Sequence, residues 1–307
     1  MKTLRIATRQ SPLAMWQAKF VQSQLQALHP ELTVELLPMT TKGDQILDSP
    51  LALIGGKGLF VKELERALLD GRADIAVHSM KDVPPTFPEL LGLGAILKRH
   101  SPFDAMLSNR YNTLEELPDG AHVGTASQRR KAQLLARFPY LKISTLRGNI
   151  QTRIGKLDAG EFDVILLAAS GLERMGLESR IKSVLSADQS LPAVGQGALG
   201  IEVRNDDTQV AALLAPLIDA ETQINVAAER RFSKRLGGSC SVPLGCFASH
   251  DGDQFEIEGL LAQPDGKLIL RAQRSGKTQD ALSMADALAD DLFAQGAQKI
   301  LDELEQV

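Results

Sequence analysis

The sequence predicts an α/β protein built from two α/β units and a smaller α+β unit towards the C-terminal end. Through the first two-thirds of the chain, short apolar runs alternate with segments of helical periodicity. This alternation is typical of mostly parallel sheets whose two faces are covered by helices. From about Ala220 the pattern changes to helix, hairpin and helix. The 307 residues, 44% of them hydrophobic, suffice for two or three domains with ordinary cores.

The first unit begins with a strand-like run at Leu4–Thr8. Ser11 is a natural helix N-cap, and Pro12 occupies the first helical position of a segment whose helical spacing covers Leu13–Leu28. The other elements predicted in this unit are a strand at Val34–Pro38, a helix at Phe60–Leu69 entered through the glycine-rich Gly55–Gly58, and a strand at Ala73–His78.

The second unit starts near Pro102 and repeats the same rhythm. Its predicted strands and helices are, in order, His122–Gly124, Gln128–Phe138, Lys142–Leu146, Ile150–Ala159 and Asp163–Ala168. A later strand at Leu199–Val203 can return to the first sheet. That return would create two crossover segments between the first two units.

The third unit is predicted to be a small α+β domain. Its elements are a helix at Glu221–Leu236 ended by Gly237 and Gly238, hairpin strands at Phe255–Gln263 and Lys267–Ser275, and a helical stretch at Asp280–Gln306 with a break near Gly296. We therefore predict domain 1 at residues 1–98 plus 198–217, domain 2 at 102–192 and domain 3 at 220–307.

Composition narrows the class of protein. The net charge of −4 argues against general binding of nucleic acid or anionic membranes, so any basic site must be local. The two cysteines, Cys240 and Cys246, are too few for a disulfide framework and lack metal-ligand spacing. Met1–Thr3 runs directly into the first strand, and no apolar stretch is long enough to span a bilayer. We expect a reduced, cytoplasmic protein with no targeting segment and no metal site.

Cations at predicted helix starts are the main functional signal. Arg129 and Arg130 follow the N-cap Ser127 and occupy the first helical turn, where the macrodipole disfavours them by roughly 0.3–1 kcal/mol each. A bound anion would reverse that effect. Other cations fall at or near the carboxyl ends of strands, where open α/β sheets bind ligands: Arg9, Lys57, Arg147 and Arg153. Such a set suits a ligand with several carboxylates; the alternative is solvated surface cations paired with local acids.

Two further segments carry candidate chemistry. Lys81 and Asp82 follow an apolar strand and could supply a cation and a carboxylate to a ligand, although Lys-Asp before proline is also ordinary turn chemistry. Cys240 lies in a Gly-Ser loop, where a reactive or modified thiol and an inert thiol are both reasonable interpretations. His78 is predicted to be a hydrogen-bonded core residue and Cys246 to be structural. The cations of residues 230–235 lie at a helix C-terminus, where a solvated interpretation is favoured.

Seven segments in order resemble the hydroxymethylbilane synthase family, also called porphobilinogen deaminase. They are Arg5–Gln17, Gly55–Glu65, Asp74–Pro84, Gly124–Arg130, Leu146–Asn149, Leu191–Gly197 and Gly237–Gly245, and they cover the chain nearly end to end. The resemblance implies two α/β domains like those of periplasmic binding proteins, an active cleft between them, and a small α+β C-terminal domain that carries the cofactor cysteine.

The resemblance also implies an activity and a cofactor. Four porphobilinogens would be joined head to tail with loss of ammonia on a dipyrromethane primer, and water would release hydroxymethylbilane for heme biosynthesis. Cys240 would hold the dipyrromethane through a thioether, and Asp82 would be catalytic. Lys81, Asp82, Ser127, Arg129 and Arg130 would bind the cofactor. Substrate would be bound by residues matching Arg9, Ser11, Thr125, Arg147, Arg153 and Gln196. The family further implies a monomer.

This chain departs from the common family pattern at three positions. Ala126 and Gln128 stand where the family commonly has Ser and Leu, which removes one hydroxyl donor, and Ser239 replaces a glycine before the cysteine. Two alternatives compete with the enzyme interpretation. A non-catalytic anion-binding protein of the periplasmic class would leave the third domain and the Gly-Ser-Cys loop unexplained. A transcriptional regulator with a similar effector-binding fold is disfavoured because no helix-turn-helix pattern precedes the first strand.

Overall fold

A computed structural model of the chain describes residues 2–45, 58–238 and 242–305. The predicted ligand cation Lys57, most of the Gly55–Gly58 loop, and the Ser239–Cys240 segment lie outside these residues. The strands are β1 Thr3–Arg9, β2 Thr33–Met39, β3 Ile75–Ser79, β4 Leu91–Ile96, β5 Asp104–Ser108, β6 His122–Gly124, β7 Lys142–Ser144, β8 Val164–Ala168, β9 Ser183–Val184, β10 Leu199–Arg204, β11 Leu244–Asp251, β12 Gln254–Ala262 and β13 Ile269–Lys277.

The described part of the chain has ten α-helices, eight between these strands and two after the last strand. They are α1 Pro12–Leu28, α2 Lys42–Gln45, α3 Lys62–Leu69, α4 Gln128–Arg137, α5 Ile150–Asp158, α6 Ala169–Arg174, α7 Thr208–Leu214, α8 Ala220–Arg235, α9 Ala281–Ala294 and α10 Ala297–Glu305. The predicted helix starts are confirmed at the caps. Ser11 accepts a hydrogen bond from the amide of Ala14, and Ser127 accepts one from the amide of Arg130.

The first two sheets have the same plan. Domain 1 has the strand order β2-β1-β3-β10-β4, and domain 2 has the order β7-β6-β8-β5-β9. In each sheet the first three strands are parallel and the last two pairings are antiparallel. The prediction of mostly parallel sheets is therefore wrong for half of the pairings. The strands β5 and β10 each follow a crossover from the other domain, and each runs antiparallel to its neighbours in the sheet.

The third domain packs helices against one antiparallel sheet. Its sheet has the order β11-β12-β13, so the predicted hairpin is completed by a strand, β11, that the sequence pattern did not identify. The core between sheet and helices is formed by apolar side chains such as Phe232, Phe255 and Leu288, all fully buried. The predicted break near Gly296 is confirmed, because α9 ends before it and α10 begins after it.

A buried carboxylate ties the three domains together. Glu229 of α8 accepts hydrogen bonds from Arg99 at 2.6 and 3.2 Å, from the Gly195 amide at 2.6 Å and from the Ala248 amide at 2.9 Å. Arg99 lies on one crossover, Gly195 on the other, and Ala248 on β11. Both predicted crossover segments are thus anchored on the third domain. None of the described helices is long and apolar enough to cross a membrane.

Candidate active site between the two α/β domains

Lys81 and Asp82 lie where β3 ends, in a short 3-10 turn that runs from Met80 to Asp82. The amide of Met80 donates to the carbonyl of Ala198 at 3.0 Å, which binds this turn to the second crossover. Gly195 of that crossover has φ +68°, and a Cβ there would lie 2.7 Å from the Cβ of Met80. Glycine is therefore required for the crossover to approach the turn this closely. The crossover fixes the position of both candidate residues.

Asp82 shares a small pocket with several residues of domain 1, including Arg9, Ser11 and Phe60. Arg9 is not free in this pocket. Its guanidinium pairs with Asp44, with Nε 3.1 Å from Oδ2, and lies 4.3 Å from the centre of the Phe60 ring. Two of the predicted substrate-binding residues therefore lie beside Asp82, and Arg9 already has a carboxylate partner.

Asp104 at the start of β5 is the centre of a buried polar network in domain 2. Its carboxylate lies 2.9 Å from Nη2 of Arg129 and 2.7 Å from Nη2 of Arg130. Both guanidinium groups also donate to backbone carbonyls, those of Leu191 at 2.6 Å and Leu166 at 2.9 Å. The two arginines that the helix macrodipole disfavours thus find their anion inside the protein.

Three more predicted binding residues belong to this network or to its helix cap. Gln196 donates to Asp104 at 2.9 Å and to the carbonyl of Pro102 at 2.6 Å. Thr125 is buried, and its hydroxyl accepts from the amide of Ser127 at 3.2 Å. Ser127 in turn caps α4. These groups shape the wall of domain 2, and their hydrogen-bonding capacity is largely used within the protein.

The pKa of Lys81 reflects the charges on both sides of the space between the domains. Burial lowers its pKa to about 8; Asp82 opposes this change, Arg130 adds to it, and Asp104 and Arg129 act more weakly in opposite directions. Charges from domain 2 therefore act on a lysine of domain 1. Desolvation is decisive here because removing an ammonium from water favours its neutral form.

Arg147 and Arg153 face the same space from domain 2. Burial lowers the pKa of Arg153 to about 10, with contributions from Arg130 and Arg147, while Asp82 opposes them. Nε of Arg153 donates to the carbonyl of Gly148 at 2.7 Å, which holds the side chain at the start of α5. Within the described part of the chain, Lys81, Arg147 and Arg153 have no salt-bridge partner. Among the described cations of the set, these three are available to a ligand.

Four residues of the site were missed by sequence reasoning. Gln17 lies in the pocket with Asp82 and donates to the hydroxyl of Ser79 at 2.8 Å. It gave no signal, and neither did Asp44 and Phe60, because their roles depend on contacts with distant segments. Asp104 did leave one, since it is an acid that begins the apolar run to Leu107. An acid at the start of a buried strand requires a partner. Two other expectations are confirmed: Nε2 of His78 lies 2.9 Å from the buried Glu202, and Cys246 is buried in β11.

Fold and site together define a two-domain α/β protein with a third domain attached, whose cleft carries an excess of cations around one aspartate. Residues 4–212 match the family model described as porphobilinogen deaminase, dipyromethane cofactor binding domain. Residues 223–294 match the model described as porphobilinogen deaminase, C-terminal domain. The chain belongs to the porphobilinogen deaminase family.

The solved structures to which this chain is similar are more distant. A putative methionine-binding lipoprotein from Bacillus subtilis is 15% identical, with a TM-score of 0.44 over 72% of this chain and 92% of that chain. The VFT2 domain of BvgS from Bordetella pertussis is 18% identical, with a TM-score of 0.45 over 75% of this chain and 92% of that one.

The family membership gives this chain its activity. It is a transferase with hydroxymethylbilane synthase activity, which condenses porphobilinogen in tetrapyrrole biosynthesis and uses a dipyrromethane cofactor. The predicted fold class is confirmed as two α/β domains and a small α+β C-terminal domain. The non-catalytic alternative is not favoured.

The residues of the cleft fit a cofactor that carries several carboxylates. Nε of Arg129, Arg130 and Arg147 is buried without a hydrogen-bond partner in the described structure. With Lys81 and Arg153, these groups form a donor set of cations and N–H groups, which is the chemistry that carboxylates require. When bound, the dipyrromethane would supply the pyrrole ring to which substrate is added.

Proposed function

We propose that condensation takes place beside Asp82, in the cleft between the two α/β domains. The observation that carries this proposal is that charges act across the two domains: Arg130 of domain 2 lowers the pKa of Lys81, and Asp82 of domain 1 opposes the lowering of the pKa of Arg153. Asp82 is the carboxylate within a group of cations. It can therefore accept hydrogen bonds from the pyrrole N–H of porphobilinogen while the cations hold the acetate and propionate groups of the substrate.

Asp82 would act on the charge that develops during the reaction. When the amine of porphobilinogen leaves as ammonia, its electron pair is replaced by electron donation from the pyrrole nitrogen, which becomes positive. A carboxylate next to that N–H stabilises the positive charge. The same group can accept the proton lost when the new carbon–carbon bond restores an aromatic pyrrole. One aspartate would thus serve both halves of each condensation.

The cations divide into two roles under this proposal. Lys81, Arg147 and Arg153 would bind the carboxylates of substrate and cofactor directly. Arg129 and Arg130 would contribute their remaining N–H groups while Asp104 holds them in place. Arg9, Ser11, Thr125, Ser127 and Gln196 would line or support the cleft. This division follows from which side chains already have a carboxylate partner.

We propose further that the thiol of Cys240 holds the dipyrromethane through a thioether. The choice of Cys240 over Cys246 is supported by the burial of Cys246 within β11, which also raises the pKa of its thiol well above the ordinary value. A thiol that rarely ionises is a poor nucleophile. We also place the protein in the cytoplasm, since a composition with two cysteines suits a reducing compartment. The family resemblance supports a monomer.

Intact-mass spectrometry and turnover test the two central residues separately. Wild-type protein should carry a two-pyrrole adduct; Cys240→Ser should lose it and Cys246→Ser should keep it. Asp82→Asn should keep the adduct and lose turnover by about 10²–10⁴-fold, the range of general acid–base catalysis. Asp70→Asn, at an exposed carboxylate in the same domain, is the matched control and should remain active. Wild-type turnover in Asp82→Asn, or an adduct that persists in Cys240→Ser, would contradict the assignment.

A further inference from the structure

A second cavity lies outside the cleft, between domain 1 and helix α8. Its volume is about 340 Å³, which is within the range of small-molecule sites. We call it the α8 pocket, and its principal residues are Phe87, Leu93, Ile96, Ala227, Arg230 and Lys234. None of the residues around it, all from the described part of the chain, is acidic. The pocket thus combines apolar walls with cations in a protein whose net charge is −4.

Arg230 is held at the pocket without a carboxylate partner. Its guanidinium donates to the carbonyls of Val83 at 3.2 Å and Pro84 at 2.8 Å, and lies 5.1 Å from the centre of the Phe87 ring. Burial lowers its pKa to about 10, and the charge of Glu202 opposes this change without a hydrogen bond between the two side chains. The cost of desolvating Arg230 is therefore only partly offset.

Neighbouring arginines on the same helix are arranged differently. Arg231 makes two bonds of 2.8 Å to Asp286, and Arg235 pairs with Asp286 and Asp290. Lys234 is exposed at the pocket and has no salt bridge among the described residues. Of the three cations that line the pocket, Arg231 is paired with Asp286 of α9, whereas Arg230 and Lys234 have no carboxylate partner among the described residues. A general excess of solvated cations at the helix end does not account for this division.

We propose that the α8 pocket binds an organic carboxylate with a flat apolar body. The carboxylate would lie between Arg230 and Lys234, and the body would pack against Phe87 and Leu93. Neither a purely apolar ligand nor a small inorganic anion would use both halves of the pocket. The proposal is independent of the reaction in the cleft, because no residue of the pocket belongs to the proposed catalytic or carboxylate-binding set.

Isothermal titration calorimetry of the full-length protein with its cofactor tests the proposal, with 2-naphthoate as the probe. We expect 2-naphthoate to bind and its neutral analogue 2-naphthamide to bind at least tenfold more weakly. Lys234→Met should weaken the binding of 2-naphthoate by about threefold, as expected for the loss of one exposed charge. Lys19→Met, at an exposed lysine of α1, is the matched control and should have no effect.

Two additional variants show where the probe binds, and a stability measurement separates loss of binding from misfolding. Arg230→Gln should weaken 2-naphthoate by about tenfold or more, because it removes a charge-assisted bond; its thermal unfolding checks that the variant is folded. Arg153→Met in the cleft should leave the affinity unchanged. Equal affinities for Lys234→Met and Lys19→Met, or loss of binding in Arg153→Met, would overturn the proposal.

Discussion

The buried carboxylate of Asp104 provides the sharpest test of how the cleft is organised. It lies within 2.9 Å of Arg129 and 2.7 Å of Arg130, accepts from Ser190 at 2.7 Å and from Gln196 at 2.9 Å, and is fully buried. Asp104→Asn preserves the shape of the side chain and removes its charge. Two adjacent buried guanidinium groups then lose the anion that neutralises them.

The expected loss of stability is large for one substitution. Removing one partner of a buried ion pair costs about 3–5 kcal/mol because the remaining charge stays buried. At about 2–4 °C per kcal/mol for a domain of this size, even the lower bound should reduce Tm by roughly 6–12 °C. Differential scanning calorimetry measures this directly. The same substitution should raise KM for porphobilinogen, since both arginines are displaced at the wall of the cleft.

Asp158→Asn is the matched control for Asp104→Asn. Asp158 also pairs with an arginine, Arg180, at 2.6 Å in the same domain, but its side chain is 47% exposed. Exposed pairs contribute about 0–1 kcal/mol, so the control should lower Tm by less than about 4 °C. If both variants unfold at the same temperature, the proposed neutralisation of two buried arginines by Asp104 is incorrect.

The pH dependence of this effect has a definite sign. Burial would raise the pKa of Asp104, but the charges of Arg129 and Arg130 outweigh it and hold the pKa well below the ordinary 3.8. A carboxyl group whose pKa is depressed in the folded state stabilises the protein at pH values above its ordinary pKa, and this stabilisation is lost as the pH falls below that value. The difference in Tm between wild type and Asp104→Asn should therefore be full at neutral pH and shrink in acid.

Three further substitutions address other parts of the site. Burial lowers the pKa of Lys81 to about 8, so the lysine should lose its charge and KM for porphobilinogen should rise as the pH rises through that value. Lys81→Arg should flatten the dependence of KM on pH. The same pH dependence in the variant as in wild type would exclude Lys81 as its source. Glu229→Gln should lower the stability measured by urea unfolding by about 3 kcal/mol because Arg99 stays buried without its partner, and a change below about 1 kcal/mol would contradict this role. Gly195→Ala should reduce both Tm and turnover, because φ +68° and the contact with Met80 exclude a side chain; wild-type kinetics would show that the crossover does not position the catalytic turn.

The order of helices and strands was largely accessible from the sequence. Caps such as Ser11 and periodicity such as that of α1 are local signals, and the structure confirms them. Strand direction was not accessible in the same way. Whether β10 runs with or against β3 depends on where the chain returns from the other domain, and no local pattern records this. The same holds for β5 in the second sheet.

The sequence predicted which residues form the candidate site, but it did not separate their roles. Arg129 and Arg153 both follow strands, and sequence position alone gave them the same role as ligand cations. The structure separates them, since Arg129 is bound to Asp104 whereas Arg153 has no salt-bridge partner among the described residues. The difference is made by a residue that is distant from both in the sequence, and only the folded chain brings them together.

The position of Arg129 and Arg130 at a helix start predicts a need for an anion, and an internal carboxylate meets part of that need. Two arginines in the first turn of α4 require an anion, because the macrodipole and their mutual repulsion both oppose them. Asp104 supplies one negative charge, which the two guanidinium groups share. A net positive charge therefore remains on the wall of domain 2, and Nε of both arginines is left without a partner. The carboxylate of Asp104 thus allows the two arginines to be buried in the folded protein without neutralising both of them. The cleft is left electropositive for a ligand that brings its own carboxylates.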